Sequence, residues 1–168
     1  MANTLTIAPQ GTHEITFTRA FDASPERLFD ALCLPDLMRQ WFWGPEEWPV
    51  QSLTGEARVG GNFRIVWRNT GSGKEMPMSG TWREITRPTK LVWTEIFDED
   101  WTGGEALNTC VLEKQGAKTL MVVTALYSST AARDAILKPQ AEGCTSSMEE
   151  GCAQSYDRLE RHFAAGSF

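Results

Sequence analysis

SSMEEGCAQSYDRLERHF, residues 146–163, reads as one amphipathic helix. Met148, Cys152, Tyr156, Leu159 and Phe163 recur at spacings that keep side chains on one stripe of a 3.6-residue helix, and most of the charged residues between them fall elsewhere. Ser146 with Glu149, or Ser147 with Glu150, supplies a capping box at its start. Such a helix needs an apolar surface to cover.

The preceding residues provide one. From about 47 to 127 the pattern is strands and turns. In 62–68 Phe63, Ile65 and Trp67 share one phase, with Arg64 and Arg68 in the other. Met76, Met78, Gly80 and Trp82 share a phase in the next strand, and Leu91, Trp93 and Phe97 in the one after. Arg64, Arg68, Thr81, Arg83 and Thr94 are expected to face water. Two further strands follow, over 106–114 and 118–127, joined by Gln115-Gly116-Ala117. Residues 50–57 form a weaker strand.

Towards the amino terminus, Ile15, Phe17 and Phe21 alternate with polar residues, a half-buried strand. Ser24-Pro25-Glu26 then starts a helix, with Ser as cap and Pro at the first helical position. Pro35 restarts a short second helix that stops before Trp43-Gly44-Pro45. Residues 1–11 read as a flexible tail and 12–168 as one domain. The expected class is α+β: a curved antiparallel sheet of about six to seven strands, closed by a long carboxyl-terminal helix, with two short helices after the first strand.

Sixteen Lys plus Arg against 22 Asp plus Glu leave a net charge of −6, and no basic run occurs, which argues against a nucleic-acid partner. No segment has the ~20 apolar residues of a membrane helix, and Met1–Gln10 lacks a leader pattern, so a cytoplasmic protein is expected. Cys33, Cys110, Cys144 and Cys152 show no C-x-x-C spacing and read as reduced thiols. His13 and His162 have no ligand-spaced partners, so no metal site is expected. Gly71-Ser72-Gly73-Lys74 lacks the phosphate-loop pattern, and no cofactor is expected.

Seven Trp against two Tyr imply a large aromatic surface. Placed on one sheet face, Trp67, Trp82 and Trp93 form either a closed core or the wall of an incompletely filled cavity. Two carboxylates in the inward phase favour the cavity: Glu84, at the rim, and Glu95, between Trp93 and Phe97. A carboxylate facing inward must be paired, protonated or wet. The candidate cavity residues are Phe63, Ile65, Trp67, Met78, Trp82, Trp93, Glu95, Met148, Cys152 and Tyr156, and no catalytic residue is assigned.

Several stretches carry a family resemblance. Phe21-Asp22-Ala23-Ser24-Pro25-Glu26 with Leu28-Phe29-Asp30-Ala31-Leu32, Pro35 and Trp41 resembles the opening of AHSA-type proteins, homologues of the activator of the heat-shock-protein-90 ATPase within the START-like (SRPBCC) superfamily. Trp43-Gly44-Pro45, Arg58-Val59-Gly60-Gly61-Asn62-Phe63-Arg64, Gly80-Thr81-Trp82-Arg83-Glu84-Ile85 and Arg87-Pro88-Thr89-Lys90-Leu91-Val92 are also similar to that family. So are Met148-Glu149-Glu150-Gly151 and Ser155-Tyr156-Asp157-Arg158-Leu159. The resemblance implies a helix-grip fold with an apolar cavity, but no particular reaction. Three departures stand out: Leu34 removes a polar cap before Pro35, Cys152 replaces a common Trp, and Lys138–Ser147 is long enough to serve as a flap over the cavity mouth.

The leading expectation is a non-catalytic binder of a small hydrophobic molecule, lipid-like or aromatic, acting as a monomer or homodimer. One alternative is a co-chaperone-like module with a protein partner, a heat-shock-protein ATPase. The other is a cyclase- or hydrolase-type enzyme using Glu95 as general base.

Overall fold

Strand β1 (Thr6–Gln10) pairs antiparallel with β2 (Glu14–Phe21), and the chain then turns into two short helices, α1 (Pro25–Cys33) and α2 (Pro35–Met38). Six strands follow: β3 (Val50–Gly55), β4 (Asn62–Arg68), β5 (Glu75–Thr86), β6 (Lys90–Phe97), β7 (Ala106–Gln115) and β8 (Lys118–Leu126). Helices α3 (Thr130–Leu137) and α4 (Met148–Ala164) complete the chain. The computed structural model describes residues 3–100, 102–138 and 148–168.

All strands join one antiparallel sheet in the order β1-β2-β8-β7-β6-β5-β4-β3. This is the α+β arrangement expected, with eight strands rather than six to seven. The extra strand is β1, which lies within the residues read as a tail. It is an edge strand whose side chains are mostly exposed, so it shows no buried phase, and Pro9 is tolerated there.

Local chemistry sets the helix ends. The Ser24 hydroxyl accepts from the Arg27 N–H at 3.4 Å, and Pro25 opens α1. Leu34 caps α2 without a side-chain bond. On the inner sheet face Ile65 pairs with Met78, Phe63 with Gly80 and Trp82 with Trp93. This face and α4 share one core with Leu28 and Phe29 from α1 and Trp41 from the turn after α2. Leu159 and Phe163 bury the far half of the α4 stripe. Arg19, on the inner face of β2, is buried under α4 and donates to Asp157 at 2.7 Å.

One phase assignment and one exposure expectation change. A bulge between Trp82 and Glu84 pairs Glu84 with Val92, turning its carboxylate outward to Lys90 at 3.0 Å. Glu84 is therefore not an inward residue. Thr94 is on the outer face as expected, yet buried, because it sits mid-sheet between Thr81 and Leu107. Among the described residues no helix is long and apolar enough to cross a membrane.

Candidate binding pocket

Between the inner sheet face and the first half of α4 lies a pocket of about 300 Å³. The sheet contributes Phe17, Trp67, Met76, Met78, Glu95 and Asn108; the helix contributes Met148, Gly151, Cys152 and Ser155. A third wall is the loop after α2, through Phe42, Trp43, Pro45 and Trp48, and the remaining side includes Thr102, Tyr127 and Ile136.

The loop wall is held at several points. The Trp67 indole donates to the Phe42 carbonyl at 2.9 Å, and the Arg158 guanidinium donates to the Trp43 carbonyl at 2.6 Å. The same guanidinium stacks 3.9 Å from the Trp43 ring centroid. Behind the loop, the Trp41 indole donates to the Ala31 carbonyl at 2.9 Å. Gly44 meets α4 at Gly151, and a side chain at position 44 would place its Cβ 2.9 Å from the Gly151 Cα. The absence of a side chain at position 44 allows the backbones this approach.

Glu95 is the acidic side chain among the described lining residues. Its Oε2 accepts from the Trp93 indole at 3.1 Å. Burial raises its pKa above the ordinary value of 4.5, while Trp93 and Asn108 partly oppose the shift. Asn108 is 4% exposed, and its Nδ2 makes no hydrogen bond of normal geometry despite its nearness to Glu95. Burial also raises the Tyr127 phenol, with Glu95 adding to the shift, and pushes the Cys152 thiol up to about 12. Among the described residues no Lys, Arg or His lines the pocket. Among the described residues no cluster of His, Cys, Asp and Glu could hold a metal ion.

Trp67, Met78, Glu95, Met148 and Cys152 line this space together. The other five proposed cavity residues lie outside its lining. Phe63, Trp82 and Trp93 form a continuous aromatic run, with centroids 5.3 Å apart from Phe63 to Trp82 and 5.7 Å from Trp82 to Trp93. Phe63 occupies the place a side chain on Gly80 would take. Ile65 is fully buried core. Tyr156 stacks on Trp41 at 5.8 Å and meets Phe21 edge-on at 5.7 Å. Residues 139–147, most of the segment read as a flap, lie outside the described residues; Ile136 and Met148 on either side of it both line the pocket.

Sequence reasoning missed Phe42, Trp43 and Trp48, which sit outside regular strands and helices where periodicity has no bearing. It also missed Asn108, although Ala106, Asn108, Cys110 and Leu112 share a phase that would have shown it.

The family model described as "Activator of Hsp90 ATPase homolog 1-like protein" matches residues 22–164. A crystal structure of a Rhodobacter sphaeroides protein is similar at 30% identity and TM-score 0.85, covering 96% of this chain and 99% of that one. A solution structure from Arthrobacter aurescens, 21% identical, covers 95% and 91% with TM-score 0.79, and shows likeness of fold. A Mycobacterium smegmatis protein, 17% identical, covers 94% and 95% with TM-score 0.77 and does the same. No curated protein matches the chain.

Proposed function

Since this chain belongs to the family of activator of Hsp90 ATPase homolog 1-like proteins, whose fold alone dictates no activity, we propose from its pocket that it binds a small hydrophobic molecule between sheet and α4 without transforming it. The observation that carries this reading is the aromatic- and Met-rich pocket of about 300 Å³, a volume at the lower end of small-molecule sites. Trp43, Trp48 and Trp67 supply rigid walls, and Met76, Met78 and Met148 adaptable ones. Glu95, already engaged by Trp93, serves as a fixed polar anchor.

Titration of intrinsic Trp fluorescence with lipids, flavonoids and polyketide-like aromatics tests this reading. Saturable quenching that weakens in a folded Trp48→Leu variant supports it; no response across the panel removes it. Any turnover found would be tested in Glu95→Gln, since loss of turnover with retained binding would make Glu95 a general base.

A second reading, a docking module for a protein partner, is favoured by the outer sheet face. Leu107, Val111 and Leu126 are 38%, 45% and 41% exposed there, and Leu107 pairs directly with Leu126. Substituting Leu107 and Leu126 by Ser would abolish partner capture while leaving pocket ligands unaffected.

A further inference from the structure

The pocket's polar corner lies where β6 and β7 run side by side, Trp93 opposite Asn108 and Glu95 opposite Ala106. A buried amide donor without an acceptor is costly, and the bound state of a ligand site is where such a donor finds its partner. The Asn108 Nδ2 is in this position, lining the pocket beside Glu95. The group that completes the corner is therefore an acceptor.

Three ligand chemistries compete for the corner. A carboxylate or phosphate would be buried beside Glu95 with no cation among the described lining residues to offset it. An ammonium group would pair with Glu95, yet it would present N–H groups to the Asn108 N–H and leave that donor unmet. A neutral carbonyl oxygen has two lone pairs. One accepts from Asn108 Nδ2; the other accepts from the Glu95 carboxyl, whose protonated form burial favours. The Trp93 indole still donates to Oε2, which holds the carboxyl in place.

We propose that Asn108 and Glu95 form a two-donor seat for a neutral carbonyl oxygen, so that the pocket's ligand is an apolar ketone, lactone or similar carbonyl compound. This rests on the pocket-binding reading above, and the two fail in different ways.

The test compares three probes of nearly equal shape: 2-acetylnaphthalene, 2-ethylnaphthalene and 1-(2-naphthyl)ethylamine. Affinities are measured for wild type, Asn108→Leu and Glu95→Gln, while ¹⁵N spectra follow the Asn108 side-chain amide. The expected result is a ketone preference over the hydrocarbon of at least about fivefold, which falls close to one in Asn108→Leu. Glu95→Gln keeps the preference, because a Gln amide also donates. The ketone, and not the hydrocarbon, shifts the Asn108 amide resonances, a readout that stands even where Asn108→Leu does not fold. Equal binding of ketone and hydrocarbon, or a preference that survives Asn108→Leu, overturns the carbonyl seat and leaves pocket binding intact. Tightest binding of the amine, lost in Glu95→Gln, also overturns it. Failure of all three probes to bind overturns both readings.

Discussion

Gly44 and Gly151 touch, yet alanine at the two positions should act in opposite directions. At Gly44 the new Cβ would lie 2.9 Å from the Gly151 Cα, 3.2 Å from its carbonyl oxygen and 3.3 Å from its carbonyl carbon. These are backbone atoms of a helix and cannot swing aside, so about half an ångström of separation must come from the loop. Moving the loop weakens the Arg158–Trp43 hydrogen bond of 2.6 Å, which is charge-assisted, and the stacking contact at 3.9 Å. Overpacking alone costs about 1–3 kcal/mol, and the loss of those contacts keeps the total in the upper part of that range. At Gly151 the new Cβ meets Pro45 Cδ at 3.6 Å and the Gly44 Cα at 3.8 Å, which are ordinary contacts. There the substitution removes a glycine from the start of α4 and stabilises by up to about 0.5–1 kcal/mol. Urea unfolding followed by far-UV circular dichroism measures both. Gly44→Ala should also weaken pocket ligands, because Phe42, Trp43 and Trp48 move with the loop. Equal stability of Gly44→Ala and wild type, or a clear loss in Gly151→Ala, would refute the packing described.

Glu95 has a folded-state pKa above its unfolded one, so its contribution to stability is full below the unfolded value and is lost as pH rises through the folded value. Glu95→Gln should therefore unfold at higher urea than wild type at pH 8 and show little difference near pH 4; a constant difference across this range would contradict the burial argument. Gly80→Ala would drive a Cβ into the Phe63 ring and the Thr94 carbonyl, and should cost at least about 2 kcal/mol, partly recovered by adding Phe63→Leu. An additive double variant would show that the two residues do not interact. Cys33, Cys110 and Cys152 each have a thiol pushed up to about 12, chiefly by burial. Peptide mapping after brief iodoacetamide treatment at pH 8 should find all three unmodified, and rapid labelling of Cys152, which is half-buried at the pocket wall, would contradict its raised thiol pKa.

Much of this architecture was legible because burial on one face writes itself into the sequence. The α4 stripe and the inward phases of β4 and β5 follow directly from the 3.6 and 2.0 periods. β1 was not legible for the complementary reason: an edge strand with exposed side chains has no alternation to read. Glu84 misled because one bulged residue reverses a strand's phase without altering its composition. The pocket was half legible. Trp67, Met78 and Glu95 lie on strands whose phase points inward, but period two does not say where along a strand the helix stops covering it. Phe63 and Trp82 share that phase and are sealed into core. The loop wall depends on a close approach between Gly44 and Gly151, more than a hundred residues apart, which no local pattern displays.

The most direct measurement is methyl NMR on protein labelled at its methionines, with saturating 2-acetylnaphthalene. Met76, Met78 and Met148 line the pocket, while Met38 and Met121 are buried in the core away from it. Intermolecular contacts from the ligand to the first three methyls and none to the last two would place the molecule between sheet and α4. Saturable binding that gives no contact to the Met76, Met78 and Met148 methyls and leaves them unperturbed would contradict the account.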